Sequence, residues 1–306
     1  MFSSVLRLVR IVQGESGMDS SGRIERALTA AFARAEADEP PPQLIAAMRH
    51  AVFPGGARVR PSLCLAVAGA CGDDAPLLTD AAAAAIELLH CASLVHDDLP
   101  CFDNAPLRRD RPSVHAAFGE SVAVLAGDAL IVLAFEALMT AAHVVPDRIA
   151  ALHLILTRGV GMPHGIVAGQ AWESEPGAPA ERCRRAKTGA LFVAATMCGA
   201  ISSGASPTLW SALGERLGEA YQVADDLLDA IGSHEESGKS GGRDAALGRP
   251  NAIAELGVDG AARKLRQLVE ATVEAIPPCA GRNVLSDLVR FQAKRLVPQQ
   301  LGKSAA

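Results

Sequence analysis

Apolar residues recur with the 3.6-residue period of an α-helix along almost the whole chain. The pattern is clear at 24–32, 44–52 and 63–70, and it continues through eight further segments: 77–99, 121–143, 149–169, 186–205, 208–232, 251–255, 258–276 and 282–297. No alternating run of apolar and polar residues is long enough to predict a β-strand. The chain is therefore predicted to be all-α, a class in which helices bury their apolar sides against one another.

The composition supports this class and excludes several functions. Hydrophobic residues make up 49% of the chain, enough for a large core, whereas aromatic residues make up only 4%, which disfavours a β-sandwich or barrel. The formal charge of -5 provides no basic surface, so nucleic acid is not expected as a partner. Seven cysteines without a C-x-x-C pair indicate reduced thiols in the core, which fits a cytoplasmic protein.

The loops between the predicted helices are too short to separate two domains. We therefore expect one all-α domain over residues 18–306, with residues 1–17 as an extension outside the fold, because Met18 and the Asp-Ser-Ser after it resemble a helix start. The longest apolar stretch, 122–142, could span a bilayer by length, but Asp128 and Glu136 interrupt it. It is predicted to be a buried core helix, and no membrane span is expected.

A first group of aspartates lies at the end of the apolar helix predicted over 77–99. Asp97 and Asp98 are adjacent, and Asp103 follows them before the cations Arg108 and Arg109. Neighbouring carboxylates repel each other, so a positive partner is expected beside them. Taken alone, such a pair is more often only a solvated helix end followed by a charged loop.

A second group, Asp225, Asp226 and Asp229, lies within the helix predicted over 208–232. Spacings of three and four residues place these carboxylates on one side of a helix, with Gln222 on the adjoining turn. Carboxylate oxygens suit Mg²⁺, which keeps several waters and is usually completed by substrate phosphates. Two such groups therefore predict a site that clamps a diphosphate through several metal ions.

Five segments of the chain resemble, in order, the motifs of the trans-prenyltransferases, the family of farnesyl and geranylgeranyl diphosphate synthases. They are FPGGARVRP at 53–61, LLHCASLVHDD at 88–98, AKTGALF at 186–192, YQVADDLLD at 221–229 and GKSGGRD at 238–244. The resemblance covers about 20–297 and is greatest to bacterial geranylgeranyl diphosphate synthases that serve carotenoid and chlorophyll-type pigments. It implies an isoprenoid synthase-type bundle of helices around a deep central cavity, with the two aspartate motifs facing each other across its mouth.

The resemblance also implies roles for individual residues. The proposed ligands of about three Mg²⁺ ions are Asp97, Asp98, Asp103, Asp225, Asp226 and Asp229. The residues that would contact the allylic diphosphate are Arg108, Lys187 and Lys239, with Arg249 as a substitute cation in an altered segment. Those that would bind isopentenyl diphosphate are Arg60, His90 and Arg109, assisted by Arg58. Thr188 and Gln222 would support the carbocation through their dipoles.

The activity implied is Mg²⁺-dependent head-to-tail condensation of isopentenyl diphosphate with allylic diphosphates, performed by a homodimer. Product length in this family depends on side chains of the helix that leads into the first aspartate motif. Farnesyl-forming relatives carry an aromatic residue at the position of Ala92, whereas here Ala92 and the preceding Cys91 are both small. The predicted main product is therefore geranylgeranyl diphosphate, a C20 compound.

One departure and several alternatives remain open at this stage. Ala57 replaces the Lys that the family usually carries after its paired glycines, so one cation expected on isopentenyl diphosphate is missing, which mildly favours a non-catalytic regulatory subunit of the same fold. A farnesyl diphosphate synthase is a further alternative. His50, His90, the adjacent pair His96-Asp97 and Asp128 superficially offer the pattern of an HD-type metal phosphohydrolase. That interpretation leaves the second aspartate group unexplained, and the form of that group also differs from the terpene cyclase pattern.

Overall fold

The computed structural model describes residues 20–53, 56–231 and 251–296. The first half of the chain forms helices α1 (Ser20–Ala35), α2 (Pro42–Val52), α3 (Val59–Cys71), α4 (Pro76–Asp97), α5 (Val114–Phe118) and α6 (Glu120–Thr140), with strands β1 (Leu107–Arg108) and β2 (Arg111–Pro112) before α5. The two strands pair antiparallel, Leu107 opposite Pro112. They form a small hairpin in the loop between α4 and α5.

The second half continues with helices α7 (Pro146–Val160), α8 (Ile166–Ser174), α9 (Ala180–Arg184), α10 (Ala190–Ser202), α11 (Ser211–Ile231), α12 (Ala252–Glu274) and α13 (Arg282–Leu296). A π-helical turn (Arg185–Gly189) joins α9 to α10, and a 3₁₀ turn (Pro207–Trp210) precedes α11. Gly257, with a φ of 66°, kinks α12 at the boundary predicted between 251–255 and 258–276. The all-α class is confirmed.

Helices α4 and α10 form the centre of the bundle. Helix α4 packs against α1, α3, α6 and α10, and α10 packs against α3, α7 and α11. Both are apolar nearly all round and largely buried, as expected for helices that neighbours cover on several sides. Because α4 ends at Asp97, the first aspartate motif emerges where this core helix reaches the edge of the bundle.

Helix α6 is buried on one side only, which corrects the prediction of a wholly buried helix over 122–142. Its inner side, which includes Leu130 and Leu138, lies in the main core, whereas Leu125, Val132 and Met139 on the other side are 55%, 66% and 51% exposed. By length and composition α4 and α6 could each cross a membrane, but 72% of the apolar window of α4 is buried within the bundle.

The segment 149–169, predicted as one helix, is two. Helix α7 ends at Val160 and α8 begins at Ile166, because Gly161, Pro163 and Gly165 interrupt the helical backbone between them. The two helices therefore have separate axes. The short helix α8 contacts α9 and the π-helical turn that follows it. The predicted extension 1–17 lies outside the described residues.

Candidate active site

The first aspartate motif is gathered around the C-terminus of α4. Asp97 accepts a hydrogen bond from Lys187 Nζ at 2.9 Å, and Asp98 is bound through both carboxylate oxygens by the Arg108 guanidinium. The Asp103 backbone N–H donates to the Asp97 carbonyl at 2.9 Å, which folds the loop back onto the helix end. Burial raises the pKa of Asp98; Arg108 opposes this, while Asp97 and Asp103 add to it. The backbone of Asp103 is therefore held beside the end of α4, and the charges of Asp97 and Asp103 both act on Asp98.

The second motif lies on α11 and is part of a chain of hydrogen bonds. Thr188 Oγ1 donates to Gln222 Oε1 at 2.9 Å, and Gln222 Nε2 donates to Asp226 at 3.0 Å. Asp226 also accepts from the Ala252 backbone N–H at 2.7 Å, so it caps the start of α12, and burial raises its pKa. Asp225 is half-buried beside this chain.

Lys187 links the region of the first motif to α8. Its ammonium group donates to Asp97 and, also at 2.9 Å, to Glu173 Oε2. Burial alone would lower the pKa of Lys187, but the two carboxylates raise it above its usual value. Glu173 was not among the predicted site residues. The only sequence signal for it is an acidic residue one turn after Gly169 in the short apolar helix α8.

Arg60, His90 and Arg109, the residues predicted to bind isopentenyl diphosphate, lie near one another, and the side-chain hydrogen bonds described for Arg60 and His90 include no carboxylate. Arg60 Nη1 lies 3.3 Å from His90 Nε2, and its guanidinium stacks 4.6 Å from the centre of the Phe192 ring. Arg60 Nε is buried and has no hydrogen-bond partner in the part of the chain that the structure describes. Burial lowers the pKa of both Arg60 and His90, and the neighbouring Arg60 and Arg109 charges lower that of His90 further. This pocket, made by Arg60, His90 and Arg109, is suited to an anion.

Arg58 does not belong to the cationic pocket. Its left-handed backbone conformation, with a φ of 48°, turns the side chain into the fold, where it is buried. Nε lies 2.9 Å from Glu25, Nη1 lies 2.7 Å from the buried Glu87, and Nη2 donates to the Val52 carbonyl. All three nitrogens are used to hold α1, α2 and α4 together, so the structure gives Arg58 a structural position instead of the predicted one beside a substrate.

The two residues predicted to set product length are buried in α4. Cys91 Sγ lies 3.8 Å from Glu87 Oε1, on the side of the helix that Arg58 contacts. Ala92 precedes His96 by four residues, which places the two within about 40° of each other around the helix. Since the His96 ring lies against Gly127 of α6, Ala92 faces α6 and is about 140° away from Asp97.

The carboxylates have the chemistry that Mg²⁺ requires. Within the described ranges, no three acidic, His or Cys side chains converge closely enough to hold a metal ion alone. Mg²⁺ is usually bound by only one or two carboxylates and completed by waters and substrate phosphates, so this arrangement fits a metal that arrives with a diphosphate. Lys239 and Arg249 lie outside the described residues, as does the side chain of Asp229.

The chain is similar to known proteins over most of its length. The family described as Polyprenyl synthetase matches residues 41–280. A geranylgeranyl diphosphate synthase of Cereibacter sphaeroides is 52% identical over 91% of this chain and 97% of its own length. A farnesyl diphosphate synthase of Haemophilus influenzae is 39% identical over 88% of this chain and 94% of its own.

Solved structures show the same fold. Geranylgeranyl pyrophosphate synthetase from Pyrococcus horikoshii superposes with a TM-score of 0.76 at 28% identity, covering 90% of this chain and 98% of that one. A geranyltransferase from Helicobacter pylori, complexed with magnesium and isoprenyl diphosphate, gives 0.75 at 28% identity over 92% of this chain and 100% of that one. The match to the family and the identity to the Cereibacter sphaeroides relative confirm the resemblance seen in the motifs, and the chain belongs to the polyprenyl synthetase family.

Proposed function

We propose that this chain condenses isopentenyl diphosphate head to tail with allylic diphosphates, depends on Mg²⁺, and makes geranylgeranyl diphosphate as its main product. The observation that carries the proposal is the buried Arg60 guanidinium, whose Nε has no partner in the described part of the chain. A buried cation without a matching anion costs several kcal/mol, so such a group is retained where an anionic ligand completes it. A diphosphate supplies that anion.

The site offers two different ways of binding a diphosphate. The carboxylates of Asp97, Asp98 and Asp225 would repel a bare diphosphate and accept one only together with metal ions. The pocket of Arg60, His90 and Arg109 would bind a diphosphate directly, through charge-assisted hydrogen bonds. Two neighbouring sites of opposite charge therefore fit a reaction between two diphosphate substrates, the allylic one on the acidic side and isopentenyl diphosphate on the basic side.

The residues of the chain then have distinct tasks in the reaction. Lys187 and Arg108 would stabilise the negative charge that develops as the allylic C–O bond breaks and the diphosphate leaves with the electron pair. The isopentenyl double bond attacks the resulting cation and forms the new C–C bond, and the proton lost afterwards is taken up by the released diphosphate. By the resemblance, Thr188 and Gln222, which are hydrogen-bonded to each other, would support the cation through their dipoles, and the buried Phe192 would help to exclude water.

Mg²⁺ would be held by the aspartates of both motifs: Asp97, Asp98, Asp103, Asp225, Asp226 and, by resemblance alone, Asp229. When bound, it neutralises the departing diphosphate, and about three ions per site are proposed from the resemblance. Lys239 and Arg249 are proposed as further contacts to the allylic diphosphate on the same basis.

We expect turnover to stop in excess EDTA and to return with added Mg²⁺. Full turnover under EDTA would contradict metal dependence.

The C20 product is supported by two observations. Two bacterial relatives, at 52% and 49% identity, are geranylgeranyl diphosphate synthases. Ala92 and Cys91 are small and buried, which leaves room for a longer tail than an aromatic residue would.

The second candidate is a farnesyl diphosphate synthase, favoured by the Haemophilus influenzae relative. The protein is incubated with isopentenyl diphosphate, Mg²⁺ and each of the C5, C10 and C15 primers. Chromatography of the dephosphorylated products then distinguishes the two candidates. No product from any primer would favour the regulatory subunit.

We also propose that the protein is a homodimer that pairs through the exposed side of α6. Leu125, Val132 and Met139 are spaced seven residues apart and form an apolar stripe along that side. A surface of this kind is costly in water, and a second copy presenting the same stripe would cover it.

A cytoplasmic location is proposed from the free cysteines. A role in carotenoid formation is proposed from the motif resemblance.

A further inference from the structure

The π-helical turn that carries Lys187 and Thr188 lies directly against the backbones of two helices. A Cβ atom added to Gly169 of α8 would collide with the Lys187 backbone nitrogen. On the other side, a Cβ atom added to Gly218 of α11 would lie 2.7 Å from the Gly189 Cα. The turn is therefore held at backbone contact on both sides, and only glycine permits that distance.

The same side of α8 that contacts the backbone of Lys187 also binds its side chain. Glu173 follows Gly169 by four residues, one helical turn, so both residues face the π-helical turn. Glu173 Oε2 accepts from Lys187 Nζ at 2.9 Å, and both side chains are about four-fifths buried, each with a relative exposure of 22%. Gly169 thus sets the position of the Lys187 backbone, and Glu173 sets the position of its ammonium group.

The second carboxylate changes what Lys187 can do. An ammonium group has three donors, and the bonds to Asp97 and Glu173 use two of them. Asp97 is also proposed as a metal ligand, so an ammonium group held by Asp97 alone would lose its anchor if binding of the metal drew Asp97 away. Glu173 belongs to neither aspartate motif, so its bond to Lys187 would not compete with the metal.

We infer that Gly169 and Glu173 are positioning residues that together aim the Lys187 ammonium group at the allylic diphosphate, an inference that rests on the proposed prenyl transfer. Neither residue touches the reacting atoms; both act through Lys187. The arrangement predicts that loss of the Glu173 charge affects the allylic diphosphate and leaves isopentenyl diphosphate unaffected, because the latter is assigned to Arg60, His90 and Arg109.

The test compares Glu173→Gln and Glu173→Asp with Glu181→Gln. Glu181 is a matched control, since it is an acid that pairs with Arg185 of the same π-helical turn, at 3.0 Å, but is exposed and does not contact Lys187. We expect Glu173→Gln to lower kcat by about tenfold and to raise the KM for the allylic substrate, with the KM for isopentenyl diphosphate unchanged. Glu173→Asp should recover part of the loss because it keeps the charge, and Glu181→Gln should match the wild type.

Calorimetry of inorganic diphosphate with Mg²⁺ provides a readout that does not depend on turnover. The affinity should fall in Glu173→Gln and stay unchanged in Glu181→Gln. Wild-type kcat and diphosphate affinity in Glu173→Gln would overturn the inference. So would an equal rise in both KM values with a lower melting temperature, since that result indicates general loss of structure. If the wild-type protein turns over no prenyl substrate, the proposed function fails, whereas calorimetry still decides the role of Glu173.

Gly169→Ala tests the backbone contact separately, with Gly69→Ala as its control. An added Cβ at Gly69 of α3 meets no atom within 4 Å, so Gly69→Ala should keep wild-type kcat. A displacement of Lys187 by about 1 Å should lower kcat about a hundredfold in Gly169→Ala. Wild-type kcat in a folded Gly169→Ala variant would overturn the backbone part of the inference. If that variant does not fold, the Glu173 series decides alone.

Discussion

Arg58 and Arg60 are two residues apart in the sequence but have opposite electrostatic environments. Arg58 is paired with the buried Glu87, whereas the buried Arg60 bonds only a neutral imidazole among the contacts that the structure describes. Replacing Arg58 with Met leaves Glu87 buried without its cation, which costs about 3 to 5 kcal/mol of unfolding free energy. Replacing Arg60 with Met removes an uncompensated charge and should raise the melting temperature.

The KM for isopentenyl diphosphate should change in the variant that is stabilised, Arg60→Met, and not in the variant that is destabilised, Arg58→Met. Arg60→Met should raise the KM for isopentenyl diphosphate about ten- to hundredfold, corresponding to a charge-assisted contact of about 1.5 to 3 kcal/mol. Arg58→Met should leave that KM near the wild-type value in whatever fraction stays folded. Thermal melting and steady-state kinetics of both variants check this. A stabilised Arg58→Met or a destabilised Arg60→Met would contradict the assignment.

His90 should make the folded protein sensitive to acid. Burial and the charges of Arg60 and Arg109 hold the pKa of His90 well below its usual value, so the folded state keeps the imidazole neutral while the unfolded chain protonates it below about pH 6.5. Unfolding free energy is therefore lost as the pH falls through that value, by about 1.4 kcal/mol at pH 5.5 from this group. Denaturant melts of wild type and His90→Asn at pH 5.5 and 7.5 measure it, since the variant should lose less. Equal pH dependence would contradict this.

At the scale of the helix, the small side chain of Ala92 is proposed to let the prenyl tail extend along the contact between α4 and α6. Ala92 lies on the side of α4 that faces α6, and a Tyr there would fill the space between the two helices. We expect Ala92→Tyr to shift the main product from C20 to C15 while the first condensation survives, because position 92 points about 160° around α4 from His90 of the cationic pocket. Product chromatography measures the shift, and thermal melting controls for overpacking, which costs about 1 to 3 kcal/mol. C20 as the main product of the folded variant would contradict the role of Ala92.

For the whole molecule, the apolar stripe on α6 predicts self-association. Sedimentation should give about twice the chain mass of 31.7 kDa. Val132→Glu should shift the protein towards the monomer, because a charge in the centre of an apolar interface is left unpaired. Leu77→Glu is the matched control, since Leu77 is 65% exposed and Val132 66%, but Leu77 lies at the start of α4, outside the stripe. A monomeric wild type, or equal effects of the two variants, would rule out this interface.

The sequence by itself determined the all-α class, most helix positions and the two aspartate motifs. These are local properties, because the apolar period can be read from the residues of a single helix and the motif residues are contiguous or one turn apart. Breaks such as those at 161–165 were missed where glycines and a proline interrupt an otherwise helical pattern. The residues at 1–17, Lys239 and Arg249 remain predictions of the sequence alone.

Only the tertiary structure decided which partner each charged side chain takes. Arg58 was predicted to assist substrate binding, yet it pairs with Glu87 of another helix. Arg60, two residues later, contacts His90 in the cationic pocket. Glu173 joins the site because α8 places it against Lys187, and Ala92 faces α6. These choices depend on how helices distant in sequence pack and rotate against one another. The helical period of apolar residues shows which side of a helix is buried, but it does not show which residues of another helix pack against that side.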